Sequence, residues 1–530
     1  MLRPLLTLTL LATPAVAQLP VVERVSVSTA GAQGDQGATV DPRLSADGRY
    51  VVFESRATNL VANDTNGQPD VFHHDRLTGI TIRCSIGSGG EQADDVSSGP
   101  AISGDGRWVA FWTYSDALDA ADTNGLRDVY LHDTVTRTTE RISVGLAGAE
   151  PDGYAAWPSV NQDGTRVAFS SAATNLAHGD TNSITDIFLR DRVAGTTTVV
   201  SRTLTGGAPN GFSSRPYLSA DGRYVAYYTT STNMGSGDLS SDHDVYLHDT
   251  VTSGTVQVSV DHAGGQISGS CLHGPISRDG SLVAFSANSF QVTPDDTNGE
   301  GDIFVRDLKA GTLTLVSKSS DGQLTTFHSN HGPSLSADGR YVSWWTRSSK
   351  FLASDTNGMV DQLVHDRWSG ITELVTSRSD GSMANGENNT GHLSADGRYV
   401  AYLSTSTNLV PGDTNGQHDI FVVDRRLGGL QLWVNGDQAG SPAVLHLREG
   451  SAGAHVGVTW SLGAQHLSGT TFGLLSQPVT HNALGFGLDA GGGLQKVIGL
   501  PPSLLGQTLW LQAIDGTTGL LSNSYRIEVQ

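Results

Sequence analysis

Cysteine is nearly missing from this chain: Cys84 and Cys271 are two in 530 residues, too few for a disulfide framework. They fall in the first and fifth copies of the repeat described below, beyond a disulfide's short reach, so both read as packed thiols. Positive charge is scarce, 32 Lys and Arg against 53 Asp and Glu, for a net −21. A protein that neutralises phosphates needs the opposite balance, which argues against nucleic acid as a partner. No apolar run approaches the roughly 20 residues of a membrane-spanning helix, so membrane insertion is not expected. There is no G-x-S-x-G and no P-loop, and Gly485-Phe486-Gly487 lacks the strand-to-helix setting of a dinucleotide site.

What is present begins with a leader. Arg3 precedes the apolar stretch Leu5 to Ala12, and Ala15-Val16-Ala17 supplies a small-x-small cleavage site. This is the plan of a secretory signal peptide over 1–17, leaving Gln18 first in a periplasmic or extracellular product.

The dominant feature is a repeat. LSADGRY begins at Leu44, and its relatives place their aspartates at Asp47, Asp105, Asp163, Asp221, Asp279, Asp338 and Asp396, 58 residues apart save one step of 59. Each copy reads as four strands. A short strand ends at an Asp-Gly hairpin turn. A second follows at once, as in Tyr50-Val51-Val52-Phe53. A long loop leads to a third, as in Asp302-Ile303-Phe304-Val305, and a tight turn to a fourth, as in Thr198-Val199-Val200-Ser201. Four antiparallel strands repeated radially make a β-propeller blade. Before the first copy, Val22 to Ser28 matches the fourth-strand text Glu140 to Val144, and the last copy stops after its third strand. The N-terminal strand is therefore expected to complete the seventh blade, giving a seven-bladed β-propeller over 18–428 with no free edge.

The text LSADGRYVAY followed by an Asp-Ile-Phe-Val-type strand resembles the TolB-like, WD-repeat-like propeller repeats of exported proteins. Residues 429–530 leave the register but alternate in short apolar runs between glycine-rich turns, as in Thr508-Leu509-Trp510-Leu511-Gln512-Ala513. They fit a small β-sandwich and resemble the all-β C-terminal modules of secreted bacterial repeat proteins. The whole chain is expected to be all-β.

Propeller topology puts the Asp-Gly turns and third-to-fourth-strand turns on one face, where they are short, uniform and arginine-bearing. The second-to-third-strand loops and the blade connections share the other, which is acidic and varied. Variation confined to one face points to recognition there, with Trp157, Phe212, Arg215 and Phe327 as candidate partner contacts.

Six of the long loops carry the form D-x-N-x-x-x-D: Asp64, Asn66 and Asp70; Asp122, Asn124 and Asp128; Asp180, Asn182 and Asp186; Asp296, Asn298 and Asp302; Asp355, Asn357 and Asp361; Asp413, Asn415 and Asp419. Closely spaced carboxylates beside an amide oxygen suit calcium, the cofactor candidate these loops offer; the sequence makes none firm. The same residues also suit Asx-turns that pin the start of the third strand, and both readings stand at this point. His74, His132, His248 and His365 share one repeated position that accepts Arg elsewhere, which is structural. His273, His331 and His392 lie near the start of the channel-lining strand and are candidates for a transition-metal site. The leading expectation is a secreted, non-catalytic propeller binding a protein or glycan through its acidic loop face. A metal-dependent propeller enzyme, such as a polysaccharide lyase, and a purely structural envelope or matrix protein are the alternatives.

Overall fold

The computed structural model describes residues 21–425, apart from 40, 181, 236–239, 290, 325–330, 353–354 and 379, and of the C-terminal region only its strands. The leader over 1–17 lies outside the described residues. Two compact units emerge, Leu19–Arg425 and a second containing Arg426–Gln530.

The first unit is seven four-stranded antiparallel sheets. Blade 1 runs Arg43–Leu44, Tyr50–Ser55, Asp70–Asp75 and Ile80–Arg83 from its innermost to its outermost strand, and the other blades repeat this order. In blade 7 the outermost strand is Val21–Arg24, whose Val21 pairs with Asp424. The ring closes as the sequence implies. Third strands such as Asp70–Asp75 and Asp128–Asp133 are buried along their whole length. Their middles are apolar without alternation, as in Val71-Phe72 and Val129-Tyr130-Leu131, and the buried Asp and His at their ends are held by hydrogen bonds, such as Ser85 to Asp70 and His74 to Thr81. The core lies between neighbouring sheets: Val52 and Val71 of blade 1 pack with Val109, Phe111 and Tyr130 of blade 2, and the same join recurs around the ring.

The Asp-Gly-Arg-Tyr text has a specific mechanical role at each blade junction. Gly106 has φ +78°, and a Cβ there would fall 2.0 Å from the Tyr50 ring of the preceding blade; only glycine meets both demands. In blades 1, 2, 4, 6 and 7 the residue after this glycine is an arginine that pairs bidentately with the aspartate ending its own third strand, as Arg223 does with Asp249 at 2.9 and 2.7 Å. An arginine from the third-to-fourth-strand turn then covers the aromatic ring, as Arg192 does over Trp108 at 3.9 Å. Successive Asp-Gly turns are also joined by main-chain hydrogen bonds, such as Ala46 N–H to Gly104 O, Ala337 N–H to Ala395 O and Ala395 N–H to Ala46 O, the last crossing the seam.

The fourth strand stops earlier than the sequence reading placed it. In blade 3 it is Thr196–Val199, because the Ser201 hydroxyl leaves the ladder, accepts Ile187 N–H at 2.8 Å and donates to Asp186 at 2.6 Å. Ser26, Ser85, Ser143, Ser259, Ser317 and Thr376 do the same elsewhere. Cys84 and Cys271 are buried free thiols. His74, His132, His248 and His365 are buried against Thr81, Thr139, Thr255 and Thr372 at 2.8–2.9 Å, the structural role expected of them.

The second unit holds two antiparallel sheets. Gln431–Asn435, Pro442–Arg448 and Leu494–Gly499 form one. Phe472–Leu475, Val456–Leu462, Thr508–Asp515 and Tyr525–Glu528 form the other. Helix in the described residues is confined to two short 3-10 turns, and no helix is long and apolar enough to cross a membrane.

Candidate functional site

The innermost strand of each blade borders the central channel and leaves one side unpaired, so a proline is tolerated there. Pro100, Pro158, Pro216 and Pro333 have no N–H for the ladder, and each interrupts it. The register jumps between Ser98 and Ala101, Ala156 and Ser159, Ser214 and Tyr217, and His331 and Ser334. The residue before this point always stands six positions ahead of the blade aspartate: Asp41, Gly99, Trp157, Arg215, His273, Gly332 and Thr390. Six of these are left-handed, with φ from 42° to 67°. A non-glycine residue there costs about 1–2 kcal/mol, and a following proline disfavours it further. Blades 2 and 6 avoid the cost with glycine. Blades 3, 4, 5 and 7 keep Trp157, Arg215, His273 and Thr390 in that strained backbone, the kind of outlier that clusters at functional sites.

These residues line a cavity of about 240 Å³ to which all seven blades contribute. The Arg215 guanidinium lies 4.2 Å over the Trp157 indole, and Arg215 N–H donates to Ser170 Oγ at 3.2 Å. Gly332 N–H donates to His273 Nε2 at 3.4 Å, leaving Nδ1 facing the Tyr217 hydroxyl, also at 3.4 Å. The column seven residues after each blade aspartate complements the ring. Where glycine removes a side chain, an indole takes the space: Trp112 against Gly99 and Trp345 beside Gly332. Where the ring carries Trp157 or His273, that column holds Ser170 or Ser286.

The histidine candidates divide. His273 and His392 border the same cavity, but Leu44 N–H donates to His392 Nδ1 at 3.2 Å. This is the inter-blade strut that Ser159 and Ser334 provide to Leu218 and Leu393 at 3.0 Å. Burial, with the Arg43 guanidinium nearby, pushes the His392 pKa down to about 3, so the ring is neutral and its nitrogen accepts. His331 opens the strand His331–Leu335 opposite Trp345. Phe327 lies outside the described residues. Phe212 is 38% exposed and meets Tyr228 and His243 edge-on, with centroids 6.4 and 5.4 Å away.

In the Asp-Thr-Asn-Gly loops the asparagine side chain makes an Asx-turn. Its Oδ1 accepts the N–H two residues on: Gln68 N–H to Asn66 at 3.0 Å, Leu126 to Asn124 at 2.7 Å, Ile184 to Asn182 at 2.8 Å, Glu300 to Asn298 at 3.2 Å, Met359 to Asn357 at 2.9 Å and Gln417 to Asn415 at 3.0 Å. Four of the Nδ2 groups turn to the second aspartate, at Asp70, Asp128, Asp302 and Asp419. Burial raises the second aspartate in blades 1, 2, 3, 5 and 6: Asp70, Asp186, Asp302 and Asp361 to about 6 and Asp128 to about 7. The carboxylates Asp122, Asp128 and Glu150 converge as a metal-ligating triad might. Arg141 already sits among them, 3.3 Å from Asp122 and 2.6 Å from Glu150.

No family description matches the chain, and no curated protein matches it. Several solved structures are similar to it at low identity. A putative TolB from Agrobacterium tumefaciens is 15% identical over 64% of this chain and 92% of that one, with TM-score 0.33. A prolyl endopeptidase is 13% identical over 78% and 55%, with TM-score 0.45. The WD40 domain of SCAP from fission yeast is 8% identical over 96% and 87%, with TM-score 0.25. The seven-bladed assignment rests on the sheet order itself.

Sequence reasoning singled out Trp157 and Arg215 as loop-face contacts and His273 as a metal ligand, and missed Asp41 and Thr390. Their common signal is the column six before the aspartate, visible once the seven copies are aligned. It also missed the opposite face, where Leu77, Val135, Val193, Val251 and Trp368 occupy one repeated turn position and are 54–82% exposed.

Proposed function

We propose that this chain is an exported, non-catalytic binding propeller that docks a protein or glycan on its acidic loop face and receives one group of that partner in the channel ring. The observation that carries the reading is the retention of Trp157, Arg215, His273 and Thr390 in left-handed backbone where Gly99 and Gly332 stand in sister blades. An indole face stacked with a guanidinium, beside an imidazole and a carboxylate, offers apolar contact and directional polar contact in one small concavity, which suits ligand recognition. The leader over 1–17 and the TolB-like repeat text support export.

An array of neutral and uronic-acid oligosaccharides and of peptides, probed with the wild type, Trp157→Gly and Arg215→Gly, tests the proposal. Saturable binding by the wild type that falls at least tenfold in both variants, with folding intact, is expected. Equal binding by all three, or conversion of an array ligand to product, would overturn it.

A further inference from the structure

The internal repeat supplies its own comparison for the Asp-Thr-Asn-Gly loops, because the last residue of the fourth strand differs from blade to blade. It is Arg83 in blade 1, Arg141 in blade 2 and Arg24 in blade 7, but Leu315 in blade 5 and Leu374 in blade 6. In blades 1 and 7 the arginine's guanidinium bridges the two carboxylates of the loop, and in blade 2 it bridges the first of them and Glu150. Arg83 Nη1 is 3.4 Å from both Asp64 Oδ1 and Asp70 Oδ2. Arg24 Nη1 is 3.2 Å from Asp413 Oδ1 and 3.6 Å from Asp419 Oδ2. Arg141 Nη1 is 3.3 Å from Asp122 Oδ1. The guanidinium also reaches the carbonyl preceding the first aspartate, Asn63 O at 3.4 Å and Ala121 O at 3.1 Å. A positive charge is thus held by two carboxylates and a main-chain oxygen.

Blades 5 and 6 keep the acceptors and lose the cation. In blade 5 Asp296 and Asp302 are 1% and 0% exposed; in blade 6 Asp361 is 1% exposed and Asp355 half-buried. Among the described residues Asp296 Oδ1 and Asp355 Oδ1 have neither a hydrogen bond nor an ion pair, whereas the same oxygen of Asp64, Asp122 and Asp413 lies 3.4, 3.3 and 3.2 Å from an arginine. Asp361 Oδ2 is likewise unpartnered, matching Asp70 Oδ2 and Asp419 Oδ2. The ion pair found nearby in blade 5, Lys318 to Asp295 at 4.0 Å, leaves Asp296 aside. Each aspartate of these two pairs is shifted upward, with burial the largest cause and no cationic side chain among the causes. Burying two carboxylates without a counter-charge is costly enough that a proton or a cation must enter.

We propose that Asp296 with Asp302 in blade 5, and Asp355 with Asp361 in blade 6, each bind one divalent cation of the calcium class in the place that arginine fills in blades 1, 2 and 7. The donors are oxygens, the favoured ligands of hard cations. Calcium tolerates the irregular, partly hydrated coordination that two carboxylates and a carbonyl leave open. The repeat therefore neutralises one internal charge pair in two ways, by a covalently carried guanidinium or by a captured ion. The general calcium expectation for six loops narrows to the two in which no cationic side chain acts on either aspartate; in blade 3, whose fourth strand ends at Val199, Arg202 supplies the positive charge near Asp180 and Asp186.

The test uses the full mature chain, stripped with chelator and titrated with calcium chloride at pH 7.5. Uptake of two ions per chain and a calcium-dependent rise of several degrees in melting temperature are expected. Asp296→Asn with Asp355→Asn should abolish both effects, whereas Asp64→Asn in blade 1 should leave the stoichiometry at two. Leu315→Arg with Leu374→Arg should fold without calcium and no longer respond to it. If the arginine pair does not fold, the asparagine pair alone decides. Calcium uptake unchanged in the asparagine pair would overturn the proposal. So would no uptake at millimolar calcium, which would mean that protons neutralise the pairs.

Discussion

Replacing Thr390 by glycine should make the propeller more stable, which few core substitutions do. Thr390 is β-branched, sits at φ 42° and has a hydroxyl that is buried without a partner. Releasing a left-handed non-glycine residue returns about 1–2 kcal/mol, and removing an unsatisfied buried hydroxyl returns about 1 kcal/mol more. Against this, glycine's extra freedom in the unfolded chain costs about 0.5–1 kcal/mol, and the lost methyl contact costs about 0.8 kcal/mol. The balance is a gain of about 1 kcal/mol. For a unit spanning Leu19–Arg425, an unfolding entropy of about 2.1 cal/mol/K per residue converts that gain to a rise of about 1 °C in melting temperature. Differential scanning calorimetry on matched preparations, with the urea midpoint as a second measure, resolves such a shift. Thr390→Ala, which keeps a side chain in the strained backbone, should fall below Thr390→Gly by about 1 kcal/mol. A glycine variant no more stable than the alanine variant would refute the argument that this ring stores backbone strain.

Gly164→Ala should act in the opposite direction, because φ is +71° and the new Cβ would lie 2.2 Å from the Trp108 ring; a loss of about 2–4 kcal/mol in urea unfolding is expected. Hydrogen bonds from Arg49, Arg107 and Arg223 hold the carboxyls of Asp75, Asp133 and Asp249 below the usual range. Their stabilisation is present above an unfolded carboxyl pKa of about 4 and is lost as pH falls below it. Asp249→Asn should therefore lower the melting temperature at pH 7 and flatten its dependence between about pH 4 and pH 2. Amino-terminal sequencing of protein recovered from an exporting host should begin at Gln18, and an intact Met1 on exported material would refute the leader assignment.

The period of the repeat made most of the fold legible. A blade aspartate every 58 or 59 residues, with β-rich text between, implies the sheets, and matching Val22–Ser28 to a fourth strand implies the closure at Val21–Arg24. The ends of the fourth strands were not legible, since Ser201 leaves the ladder through a hydroxyl bond to a residue of another strand. The channel ring was only partly so. Backbone strain has no local sequence signature, and Thr390 looks ordinary until its column is seen to contain glycine elsewhere. The role of Arg83 was hidden for a related reason: it meets Asp64 and Asp70 from a different strand, so the loop text alone reads the same with or without a built-in cation.

The turn-to-turn hydrogen bonds that join Ala46, Gly104, Ala337 and Ala395 have a mechanical consequence. With the bonds from Asp105 to Gln162, Gln162 to Ala220 and Arg278 to Ala337 they tie six of the seven junctions together in the manner of a hoop, which resists outward load only while it is unbroken. Its clasp is the four-residue strand Val21–Arg24 zipped to the third strand of blade 7. Tension on the amino terminus pulls that clasp open residue by residue and frees blade 7, whereas load spread over the loop face is shared by every junction. The ring is therefore strong against whatever rests on it and weak at one strand, which makes that strand the point from which the whole unit would be dismantled.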